Sequence, residues 1–427
     1  MLSAVGQKLE ELDSTTPATI PDTIKDQYKR PKAIPFPSNN PYSEAKATLG
    51  RKLFFDTRLS GKNTIACASC HIPVLAWEDG REKAIGEDGE MLNRHTPTLW
   101  NLAWGEFFFW DGRAASLEEQ ALLPIQAALE MNQPLEALVA SLQRLPEYRQ
   151  GFAAAFSENP NITSETIAKA LATFERTLVS PETPFDRWIA GDEKAISEAA
   201  QRGFMLFNTK ANCAACHSGW AFTDHAFHDI GLSGNDKERG AVLALSEVAH
   251  AFKTPTLRDI TRRAPYMHDG SLPTLKAVIA HYNGGFRQRP TLSADLQAIA
   301  LSTEEKAELL AFLETLTTSD TKETILYLPT KVASQIPDNA AKKLTQSVSQ
   351  RNKAFHPNHI KLSAGVTLKI HNDDIRTHNL RIHDPALDYN SGAQEPGETA
   401  EITFPQPGTY YIFCGIHPKM KLVVEVP

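Results

Sequence analysis

The sequence is short of cysteine, with five in 427 residues. That excludes a disulfide-held scaffold, which would be cysteine-dense. No apolar run is long enough to span a bilayer, and mean hydropathy is −0.33. Met1–Pro21 has neither a basic n-region nor an apolar h-region, so it does not read as a secretory leader. Basic clusters are missing as well. With 44 Lys+Arg against 51 Asp+Glu, the net charge of −7 argues against a nucleic-acid partner. The length and 41% hydrophobic content suit about three soluble domains.

What cysteine there is falls in a pattern. Cys67-Ala-Ser-Cys70-His71 and Cys213-Ala-Ala-Cys216-His217 are both Cys-x-x-Cys-His, the c-type haem attachment motif. Each thiol can form a thioether with a haem vinyl group, and the adjoining histidine serves as proximal iron ligand. One such pair alone could be a zinc or redox site. Two pairs, each followed at once by histidine, favour two covalent haems. The lead-ins repeat too, as Gly50-Arg-Lys-Leu-Phe-Phe and Gly203-Phe-Met-Leu-Phe, which reads as duplication of one haem-binding unit. Covalent haem attachment is periplasmic chemistry, so a periplasmic location is expected, with a leader removed from the chain.

Residues 1–45 read as an arm, Pro-rich and extended from 22 to 45. Helical periodicity then dominates, over Ser116–Leu129, Ile162–Leu178, Glu193–Phe207 and Thr303–Leu316. The expected domains are 46–195 and 196–318, one haem each. After Ser319-Asp320 the texture changes to alternation, in Ile360-Lys-Leu-Ser, Val366–Ile370, Ala400–Phe404 and Tyr410–Phe413, with a further strand at Thr324–Leu328. These short strands predict a β-sandwich over 322–427. The fold class is therefore multidomain, a mainly α dihaem cytochrome c followed by an all-β sandwich. From Lys322 onward 12 basic and 10 acidic residues leave 32 and 41 for the rest, so the two modules carry net charges of +2 and −9. Opposite signs could help them dock.

The fifth cysteine opens Cys414-Gly-Ile-His417-Pro-Lys-Met420, and Thr377-His378-Asn379 lies upstream. Two imidazoles, a thiolate and a weak thioether form a blue-copper set, suited to electron transfer. Singly, Cys414 and Met420 could be ordinary core. The stretch Pro407–Met420 resembles the copper loop of cupredoxins, amicyanin most of all. That resemblance implies type 1 copper on His378, Cys414, His417 and Met420. His356, His359, His371 and His383 have no place in the pattern and read as surface or supporting residues.

From Leu49 to Leu316 the chain resembles the bacterial dihaem cytochrome c peroxidase / MauG family. The resemblance rests on Arg94-His-Thr-Pro-Thr-Leu, Phe109-Trp-Asp-Gly-Arg113, Glu119-Gln-Ala, Leu129-Glu-Met131, Lys253-Thr-Pro-Thr-Leu-Arg258 and Ala264-Pro-Tyr-Met-His-Asp-Gly270. It implies that Trp110 lies between the haems, and that Gln120 and Glu130 stand above the peroxide-binding iron, with Glu130 the acid-base residue. Where other members carry a blocking histidine, this chain has Glu87, which predicts an open N-terminal iron with His71 as sole protein ligand; His95 is the only other histidine nearby. The second ligand at the C-terminal haem falls on Tyr282 rather than methionine, with His281 the competitor. A phenolate would lower the potential and favour sharing of high oxidation levels between both irons. The family's calcium site maps onto His95, Arg263 and Pro265. Loss of a hard oxygen ligand disfavours calcium, and Arg263 could supply the charge instead.

The leading expectation is a peroxidase that reduces hydrogen peroxide to water. The fused copper domain would relay electrons from an external donor, itself a cytochrome c, a cupredoxin or another redox protein. One alternative is MauG-like oxidation of Trp or Tyr in a protein substrate, and a second is a plain multi-centre electron carrier. A homodimer is compatible with the sequence.

Overall fold

The computed structural model describes residues 20–318, 347–362, 366–384 and 386–427. The strand expected at Thr324–Leu328 lies outside the described residues. Glu44–Phe54 is a helix capped by Ser43, whose hydroxyl accepts from the Lys46 N–H, and it crosses the helix Ser164–Arg176. Gly50 permits that crossing, because a Cβ there would clash with the Ala170 carbonyl oxygen. The second unit repeats the device. Glu198–Asn208 crosses Thr303–Glu314, and a Cβ on Gly203 would clash with the Glu308 carbonyl oxygen. The glycines that read as a sequence repeat are thus the points of closest helix approach.

Helix ends follow their caps rather than the periodicity. The helix expected from Glu193 begins at Glu198, since Ser197 accepts from the Ala200 N–H and 193–197 form a turn. The helix expected to reach Leu129 ends at Gln126, after an internal Pro124. The chain then turns through 127–130. Helices Leu135–Gln143 and Pro146–Ala155 and the helical turn Leu275–Ala280 were not expected.

The arm is not merely laid over the surface. Tyr28 is buried against Phe185, Phe204 and Phe222, with its hydroxyl donating to Asn208 Oδ1 at 2.7 Å. Arg30 reaches Asp186, and buried Asn40 donates to Glu118 and to the Lys169 carbonyl. Nor is the arm extended throughout, since Asp22–Lys25 and Asp26–Tyr28 form helical turns, and its few large side chains are anchors in both helical units.

Two two-residue strands, β1 (Phe227–His228) and β2 (Phe252–Lys253), pair in the second helical unit. The C-terminal module is a sandwich of β3 (Ser347–Gln350), β4 (Phe355–His356), β5 (His359–Lys361), β6 (Thr367–Asn372), β7 (Leu380–Asp384), β8 (Leu387–Asn390), β9 (Thr399–Thr403), β10 (Gly408–Cys414) and β11 (Lys421–Val426). Its sheets run β5-β11-β10-β7-β8 and β4-β3-β6-β9. Along β10, Tyr410, Ile412 and Cys414 are buried while Tyr411 is 64% exposed, the period-two alternation of a half-buried strand. Register sets Cys414 opposite Leu380, so the end of β10 meets the residues just before β7.

The two modules are joined by polar and apolar contacts. Among the described residues four ion pairs cross between them, Lys353–Asp224, Lys353–Asp295, Arg376–Asp295 and Lys421–Glu106. Each has its cation on the sandwich and its anion on the helical part, in keeping with the +2 and −9 asymmetry. Apolar residues Phe227, Leu243, Val248 and Ala251 continue into the sandwich core, and Phe107 packs on Phe413 with ring centroids 5.9 Å apart. Arg239, 2% exposed, donates to the Gly415 carbonyl at 2.6 and 2.9 Å and to the carbonyls of Asp111 and Gly112.

Candidate metal centres

The two Cys-x-x-Cys-His segments are superposable in their hydrogen bonding. His71 Nδ1 donates to the Trp77 carbonyl and His217 Nδ1 to the Phe222 carbonyl, both at 2.9 Å. That fixes each ring and leaves Nε2 for a metal bond. Threonines of the two Thr-Pro-Thr motifs brace these loops in parallel, Thr98 donating to the Ala76 carbonyl and Thr256 to the Ala221 carbonyl. Burial raises the thiols of Cys67 and Cys213. Among the described residues, Cys67, Cys70 and His71 do not converge on a point as a zinc site would. Each Cys-x-x-Cys-His segment instead lies beside a cavity, which suits a covalently attached haem.

A cavity of about 1140 Å³ opens beside His71. Its walls bring together Cys67, Cys70, Trp110, Gln120 and Glu130, which the sequence had assigned to one site. Burial raises the Glu130 carboxyl above its ordinary value, with Arg113 working against it. A carboxyl raised in this way can hold a proton as well as give one up. The Glu87 backbone N–H donates to the Glu130 carbonyl at 2.9 Å, but its carboxylate accepts from the Lys62 N–H at 2.7 Å and lies outside the cavity wall.

A narrower cavity of about 200 Å³ lies beside His217, lined by Cys213, Cys216, Tyr282 and apolar side chains such as Phe207 and Leu309. Burial and the two neighbouring thiols raise the Tyr282 phenol. His281, next to it, donates through Nε2 to the Ile230 carbonyl at 2.8 Å and does not line the cavity. Beyond the helical turn Leu275–Ala280 the chain kinks at Asn283 and Gly284, the latter at φ 113°. Trp110 lines both cavities, its indole N–H donating to the His95 carbonyl at 2.8 Å. Between them sits a buried network in which Arg263 pairs with Glu78 at 2.7 Å and His95 Nε2 bonds the other Glu78 oxygen at 3.1 Å. His95 Nδ1 is held by the Arg81 carbonyl at 2.6 Å, so neither ring nitrogen is spare.

In the sandwich, His378 Nδ1, His417 Nδ1 and Cys414 Sγ converge, separated by 3.1 Å between the nitrogens and by 3.5 and 3.6 Å from nitrogen to sulfur. Those spacings suit three ligands about 2.0–2.3 Å from one ion. Burial would raise the Cys414 thiol, but its bonds to His378 and His417 outweigh burial and hold it well below its ordinary value. Asn379 and His417 N–H groups also point at the sulfur, at 3.5 and 3.3 Å. Met420 is buried, and its N–H donates to the His417 carbonyl. His359 and His383 bond Glu425 and Asp388, His371 bonds Thr399, and His356 the Arg351 carbonyl, all away from this cluster.

Residues 44–194 match the family described as di-haem cytochrome c peroxidase, 200–317 match cytochrome c, and 324–424 match a cupredoxin-like domain. The chain is 51% identical to methylamine utilization protein MauG of Methylophilus methylotrophus over 296 residues, which are 68% of this chain and 88% of that protein. The chain belongs to the di-haem cytochrome c peroxidase / MauG family. Its similarity to the cytochrome c551 peroxidase of Pseudomonas aeruginosa is lower, 32% over 63% of this chain and 82% of the other. Among solved structures, a MauG-like protein associated with microbial copper homeostasis has a TM-score of 0.64 at 32% identity, covering 73% of this chain and 97% of its own. The MauG-family portion implies c-type haem and the cupredoxin-like domain implies copper; the whole is an oxidoreductase of helical cytochrome domains followed by a β-sandwich. No helix among the described residues is long and apolar enough to cross a membrane.

Several residues at these centres carry no signal in the sequence. Glu175, fully buried on the first cavity wall with its carboxyl raised to about 8 by burial, sits in an ordinary helical stretch. Glu78, Arg239 and the pair Asp224–His228 belong to no motif; only the copper–haem fusion hinted that such bridging residues should exist.

Proposed function

We propose that this protein is a periplasmic peroxidase that reduces hydrogen peroxide to water at the His71 cavity, drawing electrons through the copper domain and the His217 centre. In this reading Cys67, Cys70 and His71 hold one haem, Cys213, Cys216, His217 and Tyr282 the other, and His378, Cys414, His417 and Met420 a type 1 copper. The bound haems supply the redox chemistry of O–O cleavage. Glu130 takes the proton from one peroxide oxygen and returns it to the other as the bond opens, which its raised carboxyl favours. Gln120 orients the peroxide by hydrogen bonding, and Trp110, on the wall of both cavities, couples them. The observation that carries the reading is that Glu87, at the position where other members carry a blocking histidine, turns its carboxylate away from the cavity beside His71, and that both nitrogens of His95 are engaged. Arg263, paired with Glu78 between the haem units, provides the positive charge that calcium would bring, so the domains need no calcium.

A second reading is supported by Tyr282 and by the 51% identity to MauG: oxidative modification of Trp or Tyr residues in a protein substrate. An on-board copper reductant works against it, since it would quench the oxidised protein. Copper-loaded protein should consume peroxide over many turnovers with a one-electron donor. Stoichiometric oxidation of an added protein, with no sustained turnover, would instead favour the second reading.

A further inference from the structure

The copper ligands do not face solvent. His417 is 5% exposed and Ile416 4%, because their loop is pressed against the second haem unit. The Phe227 N–H donates to the Ile416 carbonyl at 3.2 Å, Lys419 donates to the Thr223 carbonyl at 3.1 Å, and Arg239 clamps the Gly415 carbonyl. At the centre of this contact is one side chain with no role so far. The His228 ring lies 6.4 Å, centroid to centroid, from the ring of His417. On its other side, ligand atoms of His228, Asp224 and the haem-anchoring Cys216 all fall within 4.8 Å of one another.

We infer that His228 is the bridging residue through which copper and the second haem exchange electrons, so that His417, His228 and Cys216 form the path. His228 is 6% exposed and fixed at both nitrogens, Nε2 by Asp224 at 2.9 Å and Nδ1 by Ser293 at 3.0 Å. With Cys216 committed to the haem, His228 and Asp224 remain as a hydrogen-bonded pair. The ring of His228 lies near both the His417 ring and Cys216, and its hydrogen bonds hold it there. In the transfer, one electron would leave Cu(I), giving Cu(II), and reduce the ferric haem anchored at Cys216 to ferrous; an external one-electron reductant would then restore Cu(I). No proton needs to move at His228. Asp224 also holds Lys353 of the sandwich, so the residue that orients the bridge helps to dock the module.

This inference rests on the copper domain being the electron donor, and the test separates the two claims. In the full chain loaded with both metals, flash reduction of copper and the rate of haem reduction are followed in wild type, His228→Gln and Lys419→Gln. Lys419→Gln loosens the same contact without touching His228. The expected result is transfer slowed roughly tenfold in His228→Gln alone, a barrier increase of about 1.4 kcal/mol. The copper and haem absorption bands should be unchanged. Hydrogen exchange at the Phe227 amide, read in the copper-free chain, should also be unchanged, showing the module still docked. His228→Phe, which restores an aromatic ring without its hydrogen bonds, guards against a glutamine that merely reshapes the site and should recover part of the rate. Equal rates in wild type and His228→Gln, or equal slowing in His228→Gln and Lys419→Gln, would overturn the bridge while leaving copper as donor. No copper-to-haem transfer in wild type would overturn the donor reading itself, and the bridge with it.

Discussion

Asp295→Asn should weaken docking of the copper domain onto the haem unit by about 2 kcal/mol. Asp295 is the acid shared by Lys353 and Arg376, and its side chain is only 9% exposed. Burial would raise its carboxyl, but the Arg376 hydrogen bond and the Lys353 and Arg376 charges win, holding it at about 2 against an ordinary 3.8. That gap, at about 1.4 kcal/mol per pKa unit, sets the figure. Because the folded value is depressed, the stabilisation is present above pH 3.8 and is lost as pH falls from 3.8 towards 2. Asparagine keeps the shape and removes the charge, leaving Lys353 with Asp224 and Arg376 with Asp374. Hydrogen exchange at the Phe227 amide, whose acceptor lies across the contact, reads the undocking equilibrium and should accelerate about thirtyfold at neutral pH. Acceleration below about twofold would mean that these pairs behave as weak surface pairs and that apolar contacts alone hold the modules together.

Gly203→Ala should destabilise the second haem unit by about 1–3 kcal/mol, seen as a drop of several degrees in the thermal transition, since the methyl would strike the Glu308 carbonyl. Glu130→Gln should keep both haem spectra and copper-to-haem transfer but lower the peroxide rate about a hundredfold or more, measured by stopped-flow absorption. Treatment with a calcium chelator should leave the haem spectra and thermal transition unchanged, because Arg263 already pairs with Glu78; a clear shift would mean that a cation contributes there.

The motifs beside the two cavities and in the sandwich were legible because each is a short local pattern. Cys67 to His71, Cys213 to His217 and Cys414 to Met420 are fixed by spacing alone, and the glycine repeat at Gly50 and Gly203 turned out to mark two equivalent helix crossings. Strands β6, β9 and β10 were legible through alternation. Helix ends were less so, since a single cap such as Ser197 overrides several residues of favourable periodicity. Contacts that link distant segments were not visible: His228 to His417 spans 189 positions, and Arg239 reaches Gly415 only because the sandwich docks where it does. Charge asymmetry indicated attraction between the modules, but it carried no information on which face would meet which.

The most direct test of the account adds stoichiometric hydrogen peroxide to the as-isolated diferric protein, copper-loaded with Cu(I) and copper-free, and follows the haem absorption. The account expects an immediate spectral change without prior reduction, and a faster return to the resting spectrum when Cu(I) is present. No change until one haem has been reduced would contradict the open His71 site, and equal decay with and without Cu(I) would contradict the copper domain as electron source.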